Sequence, residues 1–130
     1  MTYFRLSVLA ALLAATPFAG LAQEAAPAEG FKAVHLTSLN PQQVAALQAW
    51  MRDINTAIEK AGHKEVRYRL YKVAGKQSGK YEYMWESSWP SGQVYKKVHD
   101  SPEWKAVASK HAGLDELLKD EIYNRYVEVK

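Results

Sequence analysis

The sequence Asn40-Pro41-Gln42-Gln43 followed by Val44, Leu47, Met51, Ile54 and Ile58 constrains this chain more than any other feature. Asn is a helix N-cap, Pro suits the first helical position, and Gln three residues after the cap completes a capping box. The apolar residues then recur at spacings of three and four, which places them along one side of a helix. Gly62 ends it, with Lys60 in the last turn where a cation meets the helix dipole. A helix with a single apolar stripe needs a surface to lie on, and the flanking segments predict a sheet.

Residues 31–39 (FKAVHLTSL) read as a strand that runs into the helix start. Residues 65–73 and 80–87 are extended runs around the turn-rich segment Ala74-Gly75-Lys76-Gln77-Ser78-Gly79, which predicts a hairpin. With the loop centred near Lys76 and Gln77, Val66, Tyr68 and Leu70 share a face with Tyr81, Tyr83 and Trp85. Arg67, Arg69 and Tyr71 then share the opposite face with Glu82, Met84 and Glu86, where opposite charges meet across the strands. Trp89-Pro90-Ser91-Gly92 breaks the strand, and a helical segment carries Val94, Tyr95 and Val98. Asp100-Ser101-Pro102-Glu103 restarts a helix with Asp100 as the expected cap, and Trp104, Val107, Ala108 and His111 continue one face to Gly113. Leu114, Leu117 and Leu118 make a further turn, and residues 122–129 (IYNRYVEV) predict a last strand.

The order is βαββαβ, an α+β ferredoxin-like sandwich in which a four-stranded antiparallel sheet carries its helices on one face. The other face would be left uncovered. Its Tyr71 and Met84 among charges suit a partner surface, with a solvated face as the alternative.

Composition narrows the function classes. A chain of 130 residues leaves room for one ordinary domain. It has no cysteine, so thiol catalysis, disulfides and thiolate metal sites are excluded. Residues 1–22 carry Arg5, an apolar run from Leu6 to Ala15 and a small-residue end at Ala19-Gly20-Leu21-Ala22, the pattern of a secretory signal peptide. Thr16, Pro17 and Gly20 interrupt the run short of the roughly 20 apolar residues that a membrane span needs. The expectation is cleavage after Ala22 and a periplasmic or secreted mature chain, with residues 23–30 (QEAAPAEG) as a flexible leader to a domain at 31–130. That mature chain has 16 basic and 14 acidic residues, interspersed, which is no footprint for nucleic acid and shows no membrane segment after cleavage.

The element order, the hairpin ending in Tyr83-Met84-Trp85-Glu86-Ser87 and the sequence Asp100-Ser101-Pro102-Glu103-Trp104-Lys105-Ala106 resemble the dimeric α/β-barrel superfamily. Its members include antibiotic-biosynthesis-monooxygenase-like and NIPSNAP-like proteins. The resemblance implies a homodimer with two sheets face to face, and in each subunit a pocket between sheet and helices bordered by Tyr81, Tyr83 and Trp85. Some members oxidise quinol-like polyphenols without a cofactor and others degrade haem. The haem-degrading branch uses an Asn on the first strand, a Trp on the third and a His on the second helix. Here Trp85 matches, Val34 or His35 stands for the Asn, Ala108 for the His, and His111 follows about a turn later. One match in three argues against haem, and no cofactor is expected.

His35, with Ala33 and Thr37 on its face, is the candidate catalytic residue, because imidazole can act as a base near neutral pH. A hydrogen-bonded structural histidine is the alternative. Tyr68, Tyr81, Tyr83 and Trp85 form an aromatic wall, and with His111 they are the candidate ligand-binding residues. Such a wall could stack on a small aromatic molecule, or serve as core beneath the helix stripe. His63 and His99 read as helix-end and rim residues; no HExxH, P-loop, dinucleotide fingerprint or G-x-S-x-G elbow is present. Three functions follow as alternatives: a binder of a small aromatic or apolar molecule, a cofactor-free monooxygenase of quinol-like or phenolic substrates with His35 as base and Tyr83 or Trp85 positioning the ring, and a structural or interaction protein whose interior is filled by its own aromatics.

Overall fold

The computed structural model describes residues 25–119 and 121–130; the expected signal peptide lies outside them. The order is β1 (Phe31–Thr37), α1 (Pro41–Lys60), β2 (Tyr68–Lys72), β3 (Tyr83–Trp89), α2 (Gly92–His99), α3 (Pro102–Lys110), α4 (Leu114–Leu117) and β4 (Glu121–Tyr126). The strands form one antiparallel sheet in the order β2-β3-β1-β4, so β1 is central and carries a partner on each side. This is the ferredoxin-like arrangement the alternation predicts.

Helix α1 begins as its sequence dictates. The Asn40 side chain accepts from the Gln43 N–H at 2.9 Å, and the Gln43 side chain accepts from the Asn40 N–H at 2.8 Å. Its buried stripe is Leu47, Met51, Ile54, Ala57 and Ile58. At its end, Gly62 takes φ +91 while the His63 N–H reaches back to the Ile58 carbonyl, a Schellman closure that a side chain at Gly62 would strain. Asn55 ties the helix to the sheet edge: its side chain accepts from the Tyr68 N–H at 2.7 Å and donates to the Tyr68 carbonyl at 3.0 Å. A second line of contact runs from α1 to α3.

Three local expectations need correction. The hairpin pairs Leu70 with Trp85 and Tyr68 with Ser87, two residues further along β3 than a loop centred near Lys76 and Gln77 would give, because the loop runs on to residue 82. A shift of two keeps every side chain on its expected face. Ser101, not Asp100, caps α3, accepting from the Trp104 N–H at 3.2 Å; Asp100 closes α2 and pairs with Lys96. Residues 26–28, expected within a flexible leader, are packed on the domain. Ala26 lies against the core, and the Gly92 N–H meets the Ala28 carbonyl. A Cβ at Gly92 would stand 2.2 Å from the Pro27 carbonyl oxygen, so only glycine admits the chain there.

The layer between sheet and helices is built of rings. Trp50 on α1 stands edge-on to Tyr68, Trp85 and Trp104 at 4.9, 5.9 and 6.2 Å. His99, expected at a rim, is instead packed against Tyr95, Trp104 and Trp89 at 3.8, 3.9 and 5.2 Å, with its Nδ1–H donated to the Tyr95 carbonyl at 2.7 Å. Burial pushes its pKa from 6.5 down to about 4, Arg125 adds to this, and the Tyr95 carbonyl and Asp100 oppose it. The folded protein therefore holds His99 neutral where the unfolded chain binds a proton. Stability is full above about pH 6.5 and is lost as pH falls toward 4, by up to about 3 kcal/mol. Urea unfolding at stepped pH should show this extra loss in the wild type and not in His99→Phe. Parallel curves for the two proteins would contradict it.

Candidate functional site

The central strand β1 turns two polar side chains, His35 and Thr37, inward. Phe31, Ala33, His35 and Thr37 are buried beneath the helices, while Val34 and Leu36 face the uncovered side. His35 is 6% exposed. Its ring stacks on Trp85 across the β1–β3 pair, with centroids 3.4 Å apart and planes at 10°. Across the β1–β4 pair Tyr123 leans on the same ring at 4.6 Å. The Glu121 carboxylate lies 3.0 Å from His35 Nδ1, with both side chains largely buried. A carboxylate only accepts, so Nδ1 is the donor of this pair, and in the neutral ring the lone pair then lies on Nε2. His35 is thus a histidine oriented by an acid, the arrangement that sets an imidazole up as a base.

Tyr123 is held in turn. Arg125 donates from Nε to the Tyr123 hydroxyl at 2.7 Å, and its guanidinium lies over the rings of Phe31, Tyr95 and Tyr123 at 5.3–5.7 Å. Burial raises the Tyr123 pKa, and the Arg125 bond and charge oppose that. Tyr68 is pushed far above the ordinary phenol range by burial, against the opposing hydrogen bond with Ser87. The Ser87 hydroxyl also accepts from Trp89 Nε1 at 2.8 Å. Two buried polar atoms in this region lack a partner among the described residues: Thr37 Oγ1 and Trp85 Nε1.

The sequence-predicted site residues separate into one group and two outliers. His35, Trp85 and Tyr68 come together, with the Tyr68 and Trp85 rings 5.9 Å apart. Tyr83 opens β3 opposite Thr37 and is half-buried at the edge of this group. Tyr81 lies before β3 in the hairpin loop, under the Lys80 ammonium at 5.0 Å, because the loop is longer than expected. His111 is elsewhere: it caps α3, and its Nε2 sits 2.7 Å from the Asp53 carboxylate, which also takes Lys110 at 2.8 Å. Lys110 and then His111 hold the Asp53 pKa below its usual range. This trio joins α1 to α3 beside a depression of about 380 Å³ lined by Asp53, Lys60, Glu103 and Lys110. A second depression, of about 440 Å³, lies at the sheet end near Trp89 and Tyr126. Neither is lined by His35 or Trp85.

Glu121, Tyr123 and Arg125 were not anticipated as site residues. Their alternation on the last strand was a signal, but only the pairing of β4 with β1 brings Glu121 and Tyr123 to His35. The haem implied by one branch of the resemblance does not fit these residues. The Trp85 face is occupied by His35, and His111 is turned to Asp53.

No family model matches the chain, and no curated protein does. Solved structures do. A candidate antibiotic biosynthesis monooxygenase from Caulobacter crescentus is similar over 79% of this chain and 92% of its own, with 14% identity and a TM-score of 0.54. Rv0793 from Mycobacterium tuberculosis is similar over 78% and 97%, with 15% identity and a TM-score of 0.53. The hydroxynitrile lyase of Passiflora edulis is similar over 80% and 97%, with 12% identity and a TM-score of 0.52. At such identities the likeness is one of fold. The chain has the ferredoxin-like fold that antibiotic-biosynthesis-monooxygenase-like proteins also carry.

Proposed function

We propose that this protein is an exported homodimeric α/β barrel that binds a small aromatic molecule beside His35 and takes a proton from it. The observation that carries the reading is the buried His35–Glu121 pair stacked on Trp85. A buried acid-oriented imidazole is expensive to keep unless its lone pair has a use. In the proposed step a phenolic hydroxyl gives its proton to His35 Nε2. The imidazolium formed is balanced by Glu121, and the phenolate stays bound. No cofactor takes part. The names of two neighbours of the same fold, a monooxygenase and a lyase, fit a site of this kind. Oxidation of the bound phenolate, as the first of these names suggests, is the finer alternative.

The dimer is proposed from the uncovered face. Tyr71, Met84, Leu36 and Ile122 stand side by side across all four strands, by the registers of β2 with β3, β3 with β1, and β1 with β4. Tyr71 and Ile122 are 40% and 42% exposed, and Tyr126 on the same side is 52% exposed. Lys32 and Glu86 flank the row as an ion pair at 3.2 Å. An apolar band with a charged rim is a self-complementary interface for a second sheet. Export is proposed from the signal-like residues 1–22.

A structural reading is favoured by one observation: the rings around Trp85 fill one another's gaps, and the depressions found lie elsewhere. Titration with para-nitrophenol separates the two, since its phenolate absorbs visibly. The phenol reading expects saturable binding with the bound form ionised below the free phenol's own pKa, and loss of that ionisation in His35→Gln. No saturable binding by the folded dimer would overturn it and leave the structural reading. Native mass spectrometry of the protein recovered from its host should show a dimer of chains beginning at Gln23. Leu36→Asp and Ile122→Asp should each be folded monomers; a wild-type monomer would contradict the barrel.

A further inference from the structure

The two orphaned polar atoms border the His35 group. Trp85 is the residue whose ring stacks on His35, and it is 7% exposed; Thr37 follows His35 by two on the same face of β1 and is fully buried. Thr37 lies opposite Tyr83 on one side and Glu121 on the other, so it is a diagonal neighbour of Trp85 across the β1–β3 pair. Among the described residues nothing accepts from Trp85 Nε1, and nothing bonds Thr37 Oγ1, although the Glu121 carboxylate stands on the adjoining strand and is spent on His35 Nδ1. Buried polar groups are nearly always paired, and each that is not calls for an explanation, which a bound ligand would supply.

We infer that Trp85 Nε1 and Thr37 Oγ1 are the hydrogen-bonding groups for an oxygen-bearing ligand, and that they hold the negative charge left when His35 takes its proton. The inference rests on the phenol reading above and narrows it. Indole Nε1 only donates, so the ligand must offer an acceptor there. A purely apolar hydrocarbon has none, and it would leave both groups unpaired. A carboxylate ligand would face Glu121 as a like charge. What remains is a neutral small aromatic molecule with a hydroxyl or carbonyl oxygen, which gains charge only in the site. Donors aimed at developing charge in a site shielded from water strengthen as that charge forms.

Thr37→Val removes the hydroxyl at nearly constant shape, and Trp85→Phe removes the indole N–H while keeping a ring beside His35. Each is compared with wild type for binding of para-nitrophenol and of para-nitrotoluene, which lacks the ionisable hydroxyl. Both variants are expected to weaken para-nitrophenol by roughly tenfold or more and to raise the pH at which the bound phenol ionises. Thr37→Ser should restore the wild-type behaviour, and para-nitrotoluene binding should change little. Thermal unfolding checks the fold, and Thr37→Val is expected to be at least as stable as wild type because an unpaired buried hydroxyl is removed. Unchanged para-nitrophenol binding in both variants would overturn this inference and leave the phenol reading standing. Failure of the wild type itself to bind would overturn the two together.

Discussion

The placement of β1 decides most of this molecule. It has a partner on each side in the order β2-β3-β1-β4, and its buried face carries the imidazole of His35 and the hydroxyl of Thr37. Alternation then forces Val34 and Leu36 to the side without helices. A one-residue slip would exchange the two sets, putting aliphatic side chains under the helices and leaving the imidazole in solvent. The register with β3 and β4 prevents that slip, since it stacks His35 on Trp85 and brings Glu121 to Nδ1. One constraint thus yields both an exposed apolar band on one side and, on the other, two buried polar atoms without a partner among the described residues.

The helical layer is arranged to keep that inner face dry. α1 supplies aliphatic stripe residues and Trp50, and Asn55 fixes its position on the β2 edge by two hydrogen bonds to Tyr68. The rings of Trp50, Tyr68, Trp85 and Trp104 meet at edge and tilted angles, which is how aromatic quadrupoles pack favourably. Two basic side chains end this layer differently. Arg125 stays charged by lying over three rings and binding the Tyr123 hydroxyl, whereas His99, enclosed by rings, is held neutral. The low dielectric that depresses His99 also strengthens the His35–Glu121 bond.

Much of the fold was legible because the strongest signals are local. The capping box at Asn40, the α1 stripe, Gly62 and the alternation of the hairpin each depend on a few adjacent residues, and each has its expected counterpart. The site was legible only in part. His35, Tyr68 and Trp85 could be placed on one face from alternation alone, but their third wall comes from β4, 86 residues from His35 in the chain. Nothing in a Tyr- and Val-rich strand announces that Glu121 will meet an imidazole. Tyr81 was misplaced because the length of a turn is not written in its strands, and His111 because helix α3 turns it toward Asp53 rather than the sheet. His99 was misread for the same reason, since its enclosure needs Trp89, Tyr95 and Trp104 from three separate elements.

Whether His35 is a buried base oriented by Glu121 is tested most directly by imidazole nitrogen NMR on the ligand-free protein. The neutral ring is expected to carry its proton on Nδ1, and Glu121→Gln is expected to weaken that preference. A proton on Nε2, or the averaged tautomers of an imidazole in water, would contradict it.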